Sequence, residues 1–127
     1  MRYLADSFAL GALQRGKAIA QFLGSSRAEE RRVVISWVEV HPVRDGFAVV
    51  LHVAEDVGGE HFADLWEFLP ADPDDEFGRQ IGQADDAGAA MSLAEELTSA
   101  VRGHWVNLGV VQDEYLDYVR GERGVSR

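Results

Sequence analysis

Apolar residues early in the chain recur at three-to-four spacing: Phe8, Ala12, Ile19, Phe22 and Leu23. That period predicts a helix over residues 7–23, capped by Ser7 and stopped by Gly24. Within it Ala12, Gly16, Ala20 and Gly24 fall four apart. Such a ridge of small residues lets another element approach closely, and it reads as packing on the domain's own sheet. The pattern then changes period. Residues 32–43 and 47–54 are rich in β-branched side chains and are joined through Asp45-Gly46, a strong hairpin signal. Gly58-Gly59 marks a second turn into a third strand at 61–69, which Pro70 closes.

Residues 71–86 read as an acidic loop, with a short structured piece at 77–81. A helix over 87–102 follows, capped by Asp85 or Asp86 and stopped at Gly103, with Ala90, Ala94, Leu97 and Val101 on its apolar side. The apolar stretch 105–111 reads as a fourth strand or a packed loop. A short last helix at 113–120 turns Tyr115, Leu116 and Val119 inward, and 121–127 reads as a frayed tail. The expectation is a single α+β domain spanning 1–127. It has a three-to-four-stranded antiparallel meander, with an N-terminal helix and C-terminal helices packed on one face, in the order α-β-β-β-α-α.

Strand geometry then singles out one surface. A two-residue turn at Asp45-Gly46 pairs Glu39 with His52, His41 with Val50 and Trp37 with Ala54. A similar turn at Gly58-Gly59 pairs Asp56 with His61 and Val50 with Glu67. Because side chains alternate along a strand, Val38, Val40, Val49, Leu51, Val53, Phe62, Trp66 and Phe68 share one face and read as core. Asp64 is the misfit among them. Trp37, Glu39, His41, His52, His61 and Glu67 share the other face, with Ile35, Val50, Ala63 and Leu65. That face holds three of the four histidines. It reads as the solvated side of the sheet, with Trp37 suited to contact with another protein. A one-residue slip at either turn would send the downstream set to the opposite face. Tyr115, Tyr118 and Trp105 form a second aromatic group, read as packing for the last helix.

Composition narrows the classes. The chain has 127 residues, 46% of them hydrophobic, enough to bury a core. It has no cysteine, which excludes disulfides, thiolate zinc sites and cysteine nucleophiles. No apolar run approaches the length of a membrane span, and polar residues such as Asp6 and Lys17 interrupt the N-terminal segment where a signal peptide would be apolar. A cytoplasmic protein of bacterial type is expected. The net charge of −10 is local. Residues 55–86 carry eleven acidic groups against Arg79 alone, so the rest of the chain is neutral in sum. Such a field repels nucleic-acid phosphates and anionic lipid, and favours a basic partner or a cation.

Four motifs bear on chemistry. Residues 11–18 fit G-x-x-x-x-G-K but end in Ala18 where a Mg²⁺-binding hydroxyl belongs, and no strand precedes them. A calcium loop starting at Asp72, with Asp74 and Glu76 at alternating positions, fails at Phe77, where glycine is required, and at Gln83, where a bidentate glutamate is required. Weak cation binding by Asp72, Asp74, Asp75 and Glu76 stays open. No G-x-S-x-G and no His-Glu-x-x-His occurs. No cofactor is expected.

The α-β-β-β-α order, the size and the acidic balance resemble small secretion chaperones and, equally, the acidic immunity proteins that neutralise bacterial toxins. No residue motif carries either likeness. The topology is also similar to double-stranded-RNA-binding domains, a reading the acidic charge excludes. The resulting expectation is a non-enzymatic protein-binding domain of the immunity or chaperone kind, with neither nucleic acid nor membrane as partner. Its candidate interaction surface is Trp37, Glu39, His41, His52, His61, Glu67, Asp72, Asp74, Asp75 and Glu76. Two alternatives remain. One is a small metal-binding or enzymatic domain using the histidine–glutamate group. The other is a homodimer held through the first helix or the sheet face.

Overall fold

In the computed structural model, which describes residues 2–29, 32–56, 65 and 78–123, the chain forms three α-helices and a five-stranded antiparallel sheet. The elements are α1 (Asp6–Gln14), β1 (Ile19–Glu29), β2 (Arg32–Val43), β3 (Gly46–Glu55), β4 (Arg79–Ala84), α2 (Ala87–Leu97), β5 (Val106–Asn107) and α3 (Val111–Tyr118). The α+β architecture with an N-terminal helix and C-terminal helices is as the sequence predicts, but the strands number five instead of three to four. Their order in the sheet is β4-β3-β2-β1-β5. No helix among the described residues is long and apolar enough to cross a membrane.

The first helix is much shorter than its periodicity suggests. Gly16 adopts φ 85°, and the Gly16 and Lys17 amides donate to the carbonyls of Leu13 and Ala12. This pair of bonds closes a helix end on a left-handed glycine, so Gly16 is the stop, not part of a small-residue ridge. Ala5, not Ser7, is the N-cap, and it makes no side-chain cap bond. Residues 19–29 then become a strand. Its first part, 19–23, falls within the expected helix because Ile19 and Ala20 are buried in opposite cores, which hides the alternation, and the strand runs on past the stop expected at Gly24.

The helices divide between the two faces of the sheet instead of sharing one. One core joins Ala9, Ala12 and Leu13 of α1 and Ala87, Ala90, Met91 and Ala94 of α2 to Ile19, Val38, Val40, Val49 and Trp105. The other joins Val111, Tyr115 and Val119 to Ala20, Ile35, Trp37, Ala54, Leu65 and Val106. Trp105 and Tyr115 therefore pack in different cores and do not form a single aromatic group. The third strand expected at 61–69 lies outside the described residues except for Leu65, which is in 3-10 conformation and buried.

The second helix ends early. Asp86 caps it as expected, accepting from the Ala89 amide at 2.7 Å. Thr98 ends it: its hydroxyl donates to the Ala94 carbonyl at 2.7 Å and accepts from the Ala100 amide at 3.0 Å. A β-branched hydroxyl residue that bonds nearby backbone in this way competes with continued helix. Val101 therefore leaves the helical face and is 51% exposed. Buried Gln21 pins the loop beyond: its amide oxygen accepts from Val101 N–H at 2.8 Å and its amide nitrogen donates to Val101 C=O at 3.1 Å. The chain after α3 continues helically as a π-type turn, Val119–Arg123.

Candidate functional site

The β2–β3 register decides which polar side chains meet. Val43 pairs with Gly46, leaving Arg44-Asp45 as the turn, one residue earlier than Asp45-Gly46. Among the described residues no non-glycine residue has positive φ, whereas Gly46 sits at φ 147°. Arg44 and Asp45 thus cannot form the primed turn that the Asp-Gly signal implies, and Gly46 serves as the first residue of β3. Moving the turn by one residue shifts the pairing by two. Trp37 faces His52, Glu39 faces Val50 and His41 faces Ala48. A shift of two preserves the faces, so Trp37, Glu39, His41 and His52 still share one side.

That side is not a solvated face. Trp37 is 2% exposed and His52 8%, because α3 and Leu65 cover it. Trp37 is therefore not a surface aromatic offered to a partner. Its indole instead stacks on the His52 imidazole, with ring centroids 5.0 Å apart and planes within 6°. Glu39 lies diagonally between two histidines. His52 Nε2 is 2.9 Å from Glu39 Oε1, and His41 Nδ1 is 3.1 Å from Oε2. Burial alone would raise the Glu39 carboxyl. The bonds and charge from His52 and His41 outweigh that and hold it below its ordinary value. An ionised carboxylate only accepts, so each imidazole donates one N–H to it: His41 from Nδ1 and His52 from Nε2. The other edge of the His52 ring is packed closely. A side chain built at Gly78 would lie 2.8 Å from His52 Nδ1 and 2.6 Å from Val50 Cγ1.

His61, Glu67, Asp72, Asp74, Asp75 and Glu76 lie outside the described residues. Among the described residues no three His, Cys, Asp or Glu side chains are placed to hold a metal ion.

Two further polar groups went unread in the sequence. Asp56 accepts from the Tyr115 hydroxyl at 2.5 Å and the Tyr118 hydroxyl at 3.1 Å, tying the end of β3 to α3. The i, i+3 spacing of the tyrosines was the available signal. Glu95 accepts from Trp105 Nε1 at 2.9 Å, Arg102 Nε at 2.5 Å and Arg102 Nη2 at 2.9 Å. Burial opposes its charge, but these bonds prevail and hold its carboxyl below the ordinary range. Nothing in the spacing of Glu95, Arg102 and Trp105 announces this group, since a loop brings them together.

The Glu39 network carries a pH-dependent prediction. A carboxyl lowered on folding stabilises the fold fully above its ordinary value near 4.5. That stabilisation is lost as pH falls through the lower folded value. Glu39→Gln leaves one imidazole N–H facing an amide donor, at a cost of about 1–3 kcal/mol near neutral pH. Urea denaturation should show that gap at pH 7 and a smaller gap below about pH 4. A gap of constant size would mean that the charge of Glu39 contributes nothing.

No protein-family model, curated protein or solved structure matches this chain.

Proposed function

We propose that this chain is a protein-binding domain, of the toxin-neutralising or chaperone kind, that recognises a basic partner surface through its acidic stretch. The observation that carries this reading is the placement of charge: residues 55–86 hold eleven acidic residues and one basic residue, and the remainder sums to zero. A field of one sign confined to one stretch speeds encounter with an oppositely charged surface and sets its orientation. Of the described members, Asp85 and Asp86 at the head of α2 are exposed, whereas Asp56 is engaged with two tyrosines. Burial of Trp37 removes it from the binding surface, so affinity rests on charge and on apolar side chains elsewhere. Among the described residues Phe8, at 67% exposure, is the most open of these.

The test is capture of a stoichiometric partner from native lysate at low salt, followed by association rates across ionic strength. The rate should fall by about tenfold or more between 20 and 300 mM salt, as expected for a steered encounter. Failure to recover a partner, or a rate insensitive to salt, would overturn the reading.

A further inference from the structure

We propose that Glu39 and His41 form a carboxylate–imidazole dyad whose open nitrogen, His41 Nε2, acts as a nucleophile toward acyl donors. The proposal is independent of partner recognition through the acidic stretch. Three observations on adjacent strands carry it.

The first is the bond between His41 Nδ1 and Glu39 Oε2, at 3.1 Å. It requires Nδ1 to hold the proton and leaves the lone pair on Nε2, across the ring. Free imidazole side chains in water distribute the proton between both nitrogens, so the carboxylate imposes the reactive tautomer. The second is accessibility. The His41 side chain is 33% exposed, against 14% for Glu39 and 10% for His52. Only His41 thus presents a ring edge to solvent while its carboxylate stays shielded. A shielded carboxylate stabilises the imidazolium that forms during attack more strongly than one in water. The third is preorganisation. The other Glu39 oxygen is held by His52 at 2.9 Å, and His52 is fixed by the Trp37 stack. Glu39 therefore cannot swing away from His41 without losing a second bond. His41 would be the catalytic residue, with Glu39 and His52 as positioning residues.

The step balances without a cofactor. The Nε2 lone pair attacks the carbonyl carbon of an ester, and the bond from that carbon to the leaving oxygen breaks, taking its electron pair. The acylated ring is an N-acylimidazolium whose Nδ1 proton stays on the ring, hydrogen-bonded to the Glu39 carboxylate. Water then attacks the acyl carbon and the N–acyl bond breaks, its electron pair returning to Nε2. The water oxygen leaves in the acid, the proton it gives up neutralises the departed alkoxide through solvent, and the neutral Nδ1–H imidazole is restored. The class of substrate is an ester with a good leaving group, because the step gives the leaving oxygen no proton as it departs.

Two measurements test this on the intact chain. Long-range ¹H–¹⁵N spectra of the histidine rings above pH 7 should show His41 protonated at Nδ1 and bare at Nε2. In Glu39→Gln this preference should relax toward a mixture. With p-nitrophenyl acetate as probe, His41→Gln should lower the protein-dependent release of p-nitrophenolate about tenfold or more, and Glu39→Gln should lower it several-fold with a changed pH profile. His104 is the internal control: it is exposed and stacks on Tyr3 with centroids 5.2 Å apart. His104→Gln should leave the rate unchanged. Far-UV circular dichroism confirms that each variant folds. An Nε2–H tautomer at His41, a rate lowered equally by His104→Gln, or a rate indifferent to Glu39→Gln would each overturn the dyad.

Discussion

Replacement of Trp105 by alanine is expected to cost about 3–5 kcal/mol, the range for deleting a fully buried tryptophan from a core. Trp105 has no solvent exposure and packs with α1 and α2 against the sheet. Its indole N–H also donates to Glu95, which in turn holds Arg102 through two bonds. The backbone on either side is engaged as well: the Trp105 carbonyl accepts from the Leu4 amide at 2.8 Å, and β5 begins at the next residue. Losing the side chain therefore opens a cavity and loosens the loop that carries the chain from one face of the sheet to the other. Trp105→Phe separates the two effects. It keeps most of the ring volume but removes the N–H, and should cost about 1–2 kcal/mol. Chemical denaturation with an unchanged slope is the measurement. Equal losses in both variants would assign the whole effect to the hydrogen bond and refute the cavity argument.

Gly46→Ala is expected to destabilise by about 3 kcal/mol or more, combining a positive-φ penalty with a backbone clash. Gly46 adopts φ 147°, and a Cβ there would lie 2.4 Å from the Ala84 carbonyl oxygen and 3.4 Å from Asp85 Cα. Both obstacles are main-chain atoms, so neither can rotate aside. Relief requires β4 to move off β3, which disrupts the Phe47–Ala84 pairing and the entry into α2. Gly16 supplies the comparison. It has a similarly positive φ of 85° but meets nothing within 4 Å of an added Cβ. Gly16→Ala should therefore cost only about 1–2 kcal/mol, the backbone strain alone. Thermal or urea unfolding of the two variants side by side gives the difference; equal costs would show that the approach of β4 at Gly46 is not constraining.

Local chemistry was the legible part of this fold. The β2 strand occupies 32–43 as its β-branched pattern implies, and the cap at Asp86 is where an acidic residue ahead of an apolar run places it. Glu39 was expected directly opposite His52; the observed register sets Glu39 opposite Val50 and His52 opposite Trp37. The turn that forms one residue early moves the register by an even number, so Glu39 and His52 keep one face and meet diagonally. Glu39, His41, His52 and Trp37 were thus placed on one face by period alone.

Whether that face meets water could not be read from period. Trp37 and His52 alternate with Val38 and Leu51 in the same way whether their side is solvated or covered. Among the described residues, α3, Val119 and Leu65, arriving from distant parts of the chain, help make it a second core. The same cause hides the start of β1: Ile19 and Ala20 are buried in opposite cores, so 19–23 show no clear alternation and mimic helical spacing. The helix stop at Gly16, by contrast, depends on bonds within a few residues and lay within reach of the sequence. What the sequence determined by itself was the type of most elements, the pairing of β2 with β3, and the concentration of charge in 55–86. The tertiary structure decided what each face confronts, since burial depends on contacts between elements far apart in the chain and leaves no periodic trace within one.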